Sequence, residues 1–197
     1  MRRYLTRGLG GTAADLARAV ATQGVAGATI LEVGGGVGTI HVDLLRGGAG
    51  TAVNVELSPG WEPDAAELLA RLDLADRVER RLGDFVVTAP TLLPADVVIL
   101  HRVVCCYPHW EPMLDAAGRL AGRVVGLTFP VDRWWTRGAI GVRNRVIGLT
   151  GCGFRGFVHP VAAMLGALAT AGFQVSGPTR LSGEGGFGAV VGVAAAS

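Results

Sequence analysis

The sequence has no lysine, few cysteines, few charges and no long apolar run. Its 18 basic residues are all arginine and face 16 acidic residues, so the net charge of +2 gives no argument for a nucleic-acid or membrane partner. Three cysteines without C-x-x-C spacing argue against a disulfide framework and a structural zinc site, and we expect no bound metal. No stretch approaches the roughly 18 apolar residues of a membrane span, and the N-terminus lacks the apolar core of a signal peptide. A cytoplasmic protein fits these absences best.

The residues that are present predict one domain, residues 1–197. Half of them are hydrophobic, which is enough for a full core. Short apolar runs alternate with helical patterns, which predicts an α/β fold with a mostly parallel sheet and helices on both faces. The predicted strands lie within 28–33, 51–57, 77–85, 95–103 and 123–129. The predicted helices lie within 12–24, 40–46, 63–72, 111–120 and 161–172. Two final strands, within 173–180 and 186–195, are typical of an antiparallel hairpin.

A glycine-rich turn follows the first predicted strand, with Gly34, Gly35, Gly36 and Gly38. Ligands of open parallel sheets bind beyond the carboxyl ends of the strands, and glycine lets the backbone approach them closely. A dinucleotide fingerprint, G-x-G-x-x-G, would need a third glycine where Thr39 stands. The pattern present is E-x-G-x-G-x-G, which begins at Glu32. A tight turn that binds nothing is the plainer alternative.

Acidic residues end the next two predicted strands. Glu56 could accept two hydrogen bonds from a ribose diol. Asp84 could accept one from an exocyclic amine, and Phe85 could pack on a purine. Each residue alone has an ordinary explanation as a strand-end acid, a loop acid or a core phenylalanine. Because the ends of parallel strands share one edge of the sheet, their joint occurrence favours a nucleoside ligand.

Four motifs carry a resemblance to a known family: "ILEVGGGVGTIHVDLL", "NVELSPG", "RRLGDF" and "ADVVILHRVVCCYPHWEPML". They resemble the successive motifs of class I S-adenosylmethionine-dependent methyltransferases over roughly residues 12 to 194. The subgroup looks like a small actinobacterial type, distantly similar to magnesium-protoporphyrin methyltransferases. The resemblance implies a Rossmann-like seven-stranded sheet of order 3-2-1-4-5-7-6, with strand 7 antiparallel. It implies S-adenosyl-L-methionine as the cofactor and S-adenosyl-L-homocysteine as the product.

The resemblance also implies roles for single residues in cofactor binding. Glu32 and the glycine loop would hold the methionine portion, and Glu56 would bind the ribose hydroxyls. The residues implied to contact the adenine or to line the methionyl side are Leu57, Asp84, Phe85, His101 and Arg102. Residues 1–27 would form a helical cap segment over the cofactor. Because related chains carry more sequence before this point, the alternatives are a site that stays open or one that a partner subunit of a homodimer closes.

Candidates for proton transfer lie after the fourth strand and before the last helix. Methyl transfer is an in-line displacement, and an oxygen or nitrogen acceptor can also need a general base. The candidate catalytic residues are His159, His109 and Tyr107, and each histidine has a plain alternative as a loop or helix-start residue. Cys105 and Cys106 could supply a thiol nucleophile, but packing against the core or lining the acceptor pocket is the expected role.

The stretch 129–149 places Trp134 and Trp135 among arginines. One interpretation is an acceptor site for a flat or acidic molecule, because arginine binds carboxylates bidentately. A second is contact with RNA through stacking and phosphate pairing, which the nearly neutral chain disfavours. A third is a solvated helix with one tryptophan in the core.

The sequence therefore predicts a methyltransferase that acts on a small molecule, aromatic or acidic in character. Oxygen is the preferred acceptor atom, and nitrogen and carbon are alternatives. We expect neither nucleic acid nor membrane as a partner. A non-catalytic or repurposed S-adenosylmethionine-binding protein of a biosynthetic pathway is the first alternative function. An NAD-dependent enzyme with a Rossmann fold is the second.

Overall fold

The computed structural model describes residues 2–151, 153–176, 179–180 and 187–194. Its strands are β1 (Thr29–Val33), β2 (Thr51–Glu56), β3 (Val78–Leu82), β4 (Ala95–His101), β5 (Ala121–Pro130), β6 (Phe173–Val175), β7 (Thr179–Arg180) and β8 (Phe187–Ala194). They form one sheet of order β3-β2-β1-β4-β5-β8-β6, in which β7 also pairs with β8. The first five strands run parallel to one another, and β8 runs antiparallel to β5.

The strand order confirms the predicted fold class. β8 occupies the place of the antiparallel seventh strand, and the predicted sixth strand is divided into β6 and β7. The hairpin is thus present, while its predicted turn, residues 181–186, lies outside the described residues, as does Cys152.

Helices follow most of the strands along the chain. They are α1 (Arg2–Arg7), α2 (Gly11–Ala21), α3 (Thr39–Arg46), α4 (Glu62–Arg71), α5 (Phe85–Thr88), α6 (Trp110–Leu120), α7 (Trp134–Leu149) and α8 (Val161–Thr170). Short 3-10 turns lie at Pro59–Trp61, Ala75–Arg77, Ala89–Thr91 and Val104–Cys106. Within the described ranges, no helix is both long and apolar enough to cross a membrane.

Two hydrophobic clusters cover the two faces of the sheet. Successive side chains of a strand point to opposite faces, and β1 shows the result directly. Ile30 belongs to a cluster with Leu16 of α2 and Leu44 of α3. Its neighbour Leu31 belongs to a second cluster, with Leu114 of α6. Both β1 side chains are almost completely buried, which accounts for the unbroken apolar run of this strand.

The N-terminal helices lie against the face of the sheet that carries α3. α2 contacts α3, β5 and β8. A Cβ added at Gly126 of β5 would lie 2.9 Å from Val20, so this glycine allows α2 to pack closely. Tyr4 of α1 is buried, and its hydroxyl lies 3.5 Å from Asp43 Oδ1. The expected role of this segment as a cap over the cofactor stays a prediction.

The arginine-rich stretch after β5 forms the 16-residue helix α7. Thr136 is its one buried residue. Trp134 and Trp135 are both exposed, so neither tryptophan lies in the core, in contrast to the third interpretation of this stretch.

Candidate functional site

The order of the strands reverses at β1, because β2 pairs with it on one side and β4 on the other. Ligands of open α/β sheets bind at this point, in the crevice beyond the carboxyl ends of the strands. The glycine loop follows β1 directly, so it lies at the crevice, flanked by the ends of β2 and β4.

The glycine loop adopts conformations that other residues rarely take. Gly34, Gly36 and Gly38 have φ angles of +61°, +58° and +90°. Gly35 has an ordinary φ, but a Cβ added there would lie 2.6 Å from Asn54 Oδ1. Glycine is therefore required at these positions by backbone conformation or by the polar side chains packed beneath the loop.

A buried polar pair, Glu32 and His41, supports the loop from below. Glu32 Oε2 accepts a hydrogen bond from the backbone N–H of His41 at 3.1 Å and lies 2.6 Å from His41 Nδ1. Both side chains are buried, and His41 Nε2 is buried without a hydrogen-bond partner. Because His41 lies in the first turn of α3, the Glu32 carboxylate caps the N-terminus of that helix. His41 was not among the predicted site residues.

Glu56 joins two loops at the end of β2. Its side chain is nearly buried; Oε2 accepts from the Gly36 N–H at 2.8 Å and Oε1 from the Ser58 N–H at 2.9 Å. The carboxylate therefore lies beside the glycine loop in a fixed orientation. Leu57, the next residue, is exposed. Because this side chain does not contribute to the core, it is available to cover a bound ring.

Asp84 and Tyr107 meet across the crevice. Asp84 caps α5 through Oδ1, which accepts from the Val86 N–H at 2.8 Å, and its Oδ2 accepts from the Tyr107 hydroxyl at 3.0 Å. Burial, and then the bond to this carboxylate, raise the pKa of Tyr107, so the phenol stays protonated at neutral pH. Phe85 is buried in the core with Val104.

His101 and Arg102 end β4 beside Thr128 of β5. Thr128 Oγ1 accepts from the Arg102 N–H at 2.9 Å and lies 3.0 Å from His101 Nδ1. Arg102 has a φ of +58°, which is rare outside glycine and is typical of backbone held by its surroundings. The threonine thus fixes the turn that leads from β4 to the two cysteines.

The predicted catalytic histidines lie in different settings. His159 is buried, and its Nε2 lies 3.1 Å from the Val104 carbonyl and 3.0 Å from the Tyr107 carbonyl. Two carbonyl acceptors require a protonated Nε2, which favours a role in bracing this loop. His109 precedes α6 and is exposed, with no side-chain capping bond. The catalytic roles of both histidines and of Tyr107 stay predictions.

Two further residues contact the glycine loop and were missed by the sequence analysis. Arg80 Nη2 donates to the Gly36 carbonyl at 3.0 Å while the guanidinium pairs with Glu62. That pairing lowers the pKa of the Glu62 carboxyl. A Cβ added at Gly36 would lie 3.8 Å from the Trp61 indole, so this ring lies next to the loop. The sequence offered one indication that Arg80 has a role at the site, namely that this arginine lies within a predicted strand.

A cavity of about 360 Å³ opens beyond β4 and β5. Its lining residues are Arg102, Cys105, Cys106, Pro130, Trp135, Thr136, Ala139, Ile140, Arg143 and Phe154. The set contains aromatic rings, two arginines and no carboxylate. The volume is near the lower end of the roughly 300–1,000 Å³ found for ligand pockets.

The two cysteines in this wall have different acidities. Cys105 Sγ lies 3.8 Å from Cys106 Sγ. A hydrogen bond with Cys105, followed by the charges of Arg143 and Arg102, lowers the pKa of Cys106 to about 7. The same bond, together with burial, raises the pKa of Cys105. The cavity therefore carries one thiol that is partly ionised at neutral pH.

Solved structures with the same architecture place this geometry among known folds. The chain is similar to a magnesium protoporphyrin IX methyltransferase from Synechocystis PCC 6803 with bound SAH, at 20% identity and a TM-score of 0.73, over 92% of this chain and 80% of that one. The chain has the class I methyltransferase fold. No protein-family model matches the sequence, and no curated protein matches it significantly.

Other structures with the class I methyltransferase fold extend the comparison. An O-methyltransferase family protein from Burkholderia thailandensis has a TM-score of 0.71 and 20% identity, over 92% of this chain and 56% of that one. An O-methyltransferase family 2 protein from Planctomyces limnophilus, in complex with apigenin, has a TM-score of 0.67 and 16% identity, over 93% and 61%. At these identities the likeness is one of fold.

The structure brings most of the predicted cofactor residues to one edge of the sheet. Hydrogen bonds join Glu56 to Gly36 and Asp84 to Tyr107, and Glu32 lies beneath the loop. His101 and Arg102 end β4 on the other side of β1. Among the described residues, no group of three or more histidine, cysteine or acidic side chains is arranged to hold a metal ion.

Proposed function

We propose that this protein binds S-adenosylmethionine at the crevice beside β1 and transfers its methyl group to a small-molecule acceptor. The observation that carries the proposal is a set of three carboxylates, Glu32, Glu56 and Asp84, at the ends of three neighbouring strands. S-adenosylmethionine carries a sulfonium and an ammonium group, and both charges are favoured near carboxylates. The fold supports the proposal independently.

Glu56 fits the ribose of such a cofactor. An ionised carboxylate offers about four lone-pair sites. Two of these bind the N–H groups of Gly36 and Ser58, so two remain for a ribose diol. The glycine loop beside it carries no side chains that would block a ligand. Asp84 keeps acceptor capacity for the adenine amine in the same way.

A dinucleotide fits the same crevice poorly. NAD-binding folds place the pyrophosphate at the N-terminus of the helix after the glycine turn. Here the Glu32 carboxylate already accepts the His41 N–H in the first turn of α3. A second anion at that position would be repelled and would find one N–H fewer. The Glu32 carboxylate at the start of α3 therefore disfavours the NAD-dependent alternative.

The cavity beside Arg102 is our proposed acceptor site. The cofactor supplies an activated methyl group, and the protein has to align the acceptor atom with it. Trp135 and Phe154 offer aromatic surfaces, and the Arg143 guanidinium lies 5.4 Å from the Phe154 ring centre. We therefore propose a planar acceptor with an acidic group, bound by Arg143 and methylated on oxygen. Two of the similar structures are named as O-methyltransferase family proteins, which supports the choice of oxygen.

Thermal denaturation with candidate ligands tests the proposal. A ligand at a hundredfold excess over its Kd stabilises the native state by about 2.7 kcal/mol, which raises the Tm of a chain of this size by about 5–10 °C. We expect this shift with S-adenosylhomocysteine and none with NAD. The reverse pattern would replace the proposal with the dinucleotide alternative. If the protein binds S-adenosylmethionine but forms no S-adenosylhomocysteine when phenolic acids are added, the non-catalytic alternative is favoured.

A further inference from the structure

An exposed apolar stripe runs along α7. Trp134, Val142, Val146 and Leu149 are 86%, 61%, 57% and 88% exposed. Their spacings of eight, four and three residues place them on one side of the helix. Val142, Val146 and Leu149 are neighbours on the helix surface, and a group of exposed apolar side chains of this kind, unlike single ones, marks an interaction site; Trp134 extends the stripe about two turns toward the N-terminus.

The charge around the stripe has one sign. Residues 133–176 contain no aspartate or glutamate, and their arginines are Arg133, Arg137, Arg143, Arg145 and Arg155. Arg137 pairs with Asp132 just before the helix. None of the ion pairs in the described part of the chain involves the other four. Because Arg143 lines the cavity, Arg133, Arg145 and Arg155 are left to make the segment that carries the stripe basic, which the net charge of +2 over the whole chain conceals.

We propose that α7 binds the surface of an anionic lipid bilayer. A helix that exposes tryptophan and aliphatic side chains on one side, with an arginine such as Arg145 among them, resembles helices that lie in the membrane interface. Tryptophan favours the interfacial region, and anionic headgroups complement these arginines. A second copy of the chain is disfavoured as the occupant, because two identical basic faces would repel each other. The expectation of no membrane partner rested on the small net charge and on the absence of an apolar run long enough to span a bilayer, and neither bears on a helix that lies in the interface.

α7 lies next to the cavity, which suggests a function for its contact with a bilayer. Trp135 lies beside the stripe and also lines the cavity. A bilayer bound to the stripe would therefore lie next to the cavity, so that a lipophilic molecule could pass from the lipid to the cavity without crossing water. The bilayer contact itself does not depend on the proposed methyl transfer.

Co-sedimentation with vesicles tests the proposal. We expect the wild-type chain to sediment with phosphatidylcholine vesicles that contain phosphatidylglycerol, less with pure phosphatidylcholine, and less as salt is raised. The double variant Trp134→Ser/Leu149→Ser should lower the partition coefficient about tenfold or more, because it removes the two most exposed side chains of the stripe. Arg145→Gln and Arg155→Gln should each lower it about fivefold.

A matched control and an assay of assembly keep the result decisive. Leu93→Ser removes an apolar side chain that is 84% exposed elsewhere on the surface, and should leave binding unchanged. Equal loss in Leu93→Ser and in the stripe variant, or failure of the wild type to bind anionic vesicles, would overturn the proposal. A wild-type dimer that Trp134→Ser/Leu149→Ser dissociates, seen by light scattering after gel filtration, would instead assign the stripe to contact between copies.

Discussion

Replacing Glu56 with alanine is the sharpest test of the cofactor site. The side chain is 6% exposed, and its two oxygens accept hydrogen bonds from backbone N–H groups at 2.8 and 2.9 Å. In the proposed complex the same oxygens accept both ribose hydroxyls. Glu56→Ala therefore removes the ribose acceptors and also releases Gly36 and Ser58 from each other.

The magnitude follows from charged hydrogen bonds. Each is worth about 1.5–3 kcal/mol, so the loss of two to the ribose weakens binding by about 3–6 kcal/mol, or roughly 10²- to 10⁴-fold. The free protein loses less, because water can replace the carboxylate at the two N–H groups; we expect about 1–3 kcal/mol of destabilisation. Glu56→Gln keeps one acceptor oxygen and should fall between wild type and alanine.

Calorimetric titration with S-adenosylhomocysteine measures the first quantity, and urea denaturation measures the second. Glu67→Ala is the matched control, because Glu67 lies on the surface of α4 and pairs only with Arg71 in the next turn; it should change neither quantity measurably. If folded Glu56→Ala binds S-adenosylhomocysteine within about threefold of the wild type, the ribose assignment is refuted.

Two further predictions concern buried and ionised groups. His41→Ala should cost about 1.5–3 kcal/mol of unfolding free energy, because the buried Glu32 carboxylate loses its hydrogen bond to the imidazole and keeps only the one to the backbone N–H of residue 41. Urea denaturation measures the loss, and a cost below about 1 kcal/mol would argue against the pair. In a Cys152→Ser background, alkylation of Cys106 by iodoacetamide should rise with pH and be half-maximal near pH 7, because its lowered pKa is about 7. Cys105→Ala removes the thiol that donates a hydrogen bond to Cys106, so the midpoint of Cys106 alkylation should move up toward the ordinary thiol pKa of about 8.5. Cys105→Ser keeps a donor and should move the midpoint less. Mass spectrometry measures the alkylation, and the same midpoint with cysteine, serine and alanine at position 105 would contradict this prediction.

The two halves of the site are built differently. The cofactor side consists of strand ends and a glycine loop tied by buried carboxylates. The proposed acceptor side consists of α7 and the segment after it, whose side chains are largely exposed. Two reciprocal hydrogen bonds at 2.8 Å between Asn144 and the Gly156 backbone hold these two parts together, and the Phe157 N–H donates to the Cys105 carbonyl at 2.7 Å.

Much of the fold follows from local patterns. The apolar runs that predicted strands coincide with β1, β2, β4 and β5 to within two residues at most ends. β3 is less apolar, and its prediction covered a longer range than the strand, because an edge strand buries only part of its surface. The glycine loop was also predictable from the sequence, because its positive φ angles and close contacts both require glycine.

Other features depended on contacts between distant segments. The pairing of His41 with Glu32, and of Tyr107 with Asp84, joins residues whose sequence separation has no periodic signature. The sequence also left open whether the tryptophans of the arginine-rich stretch are buried or exposed, because this depends on how α7 packs against the sheet.

The sequence by itself determined the order of strands and helices, the glycine loop and the acids at the strand ends, because each depends on residues within a few positions of one another. The tertiary structure alone decided which polar groups meet beneath the loop, which thiol is ionised in the cavity and which side of α7 is exposed. Those features depend on distances between segments far apart in the chain, and such distances are set only when the sheet and its two helical layers pack together.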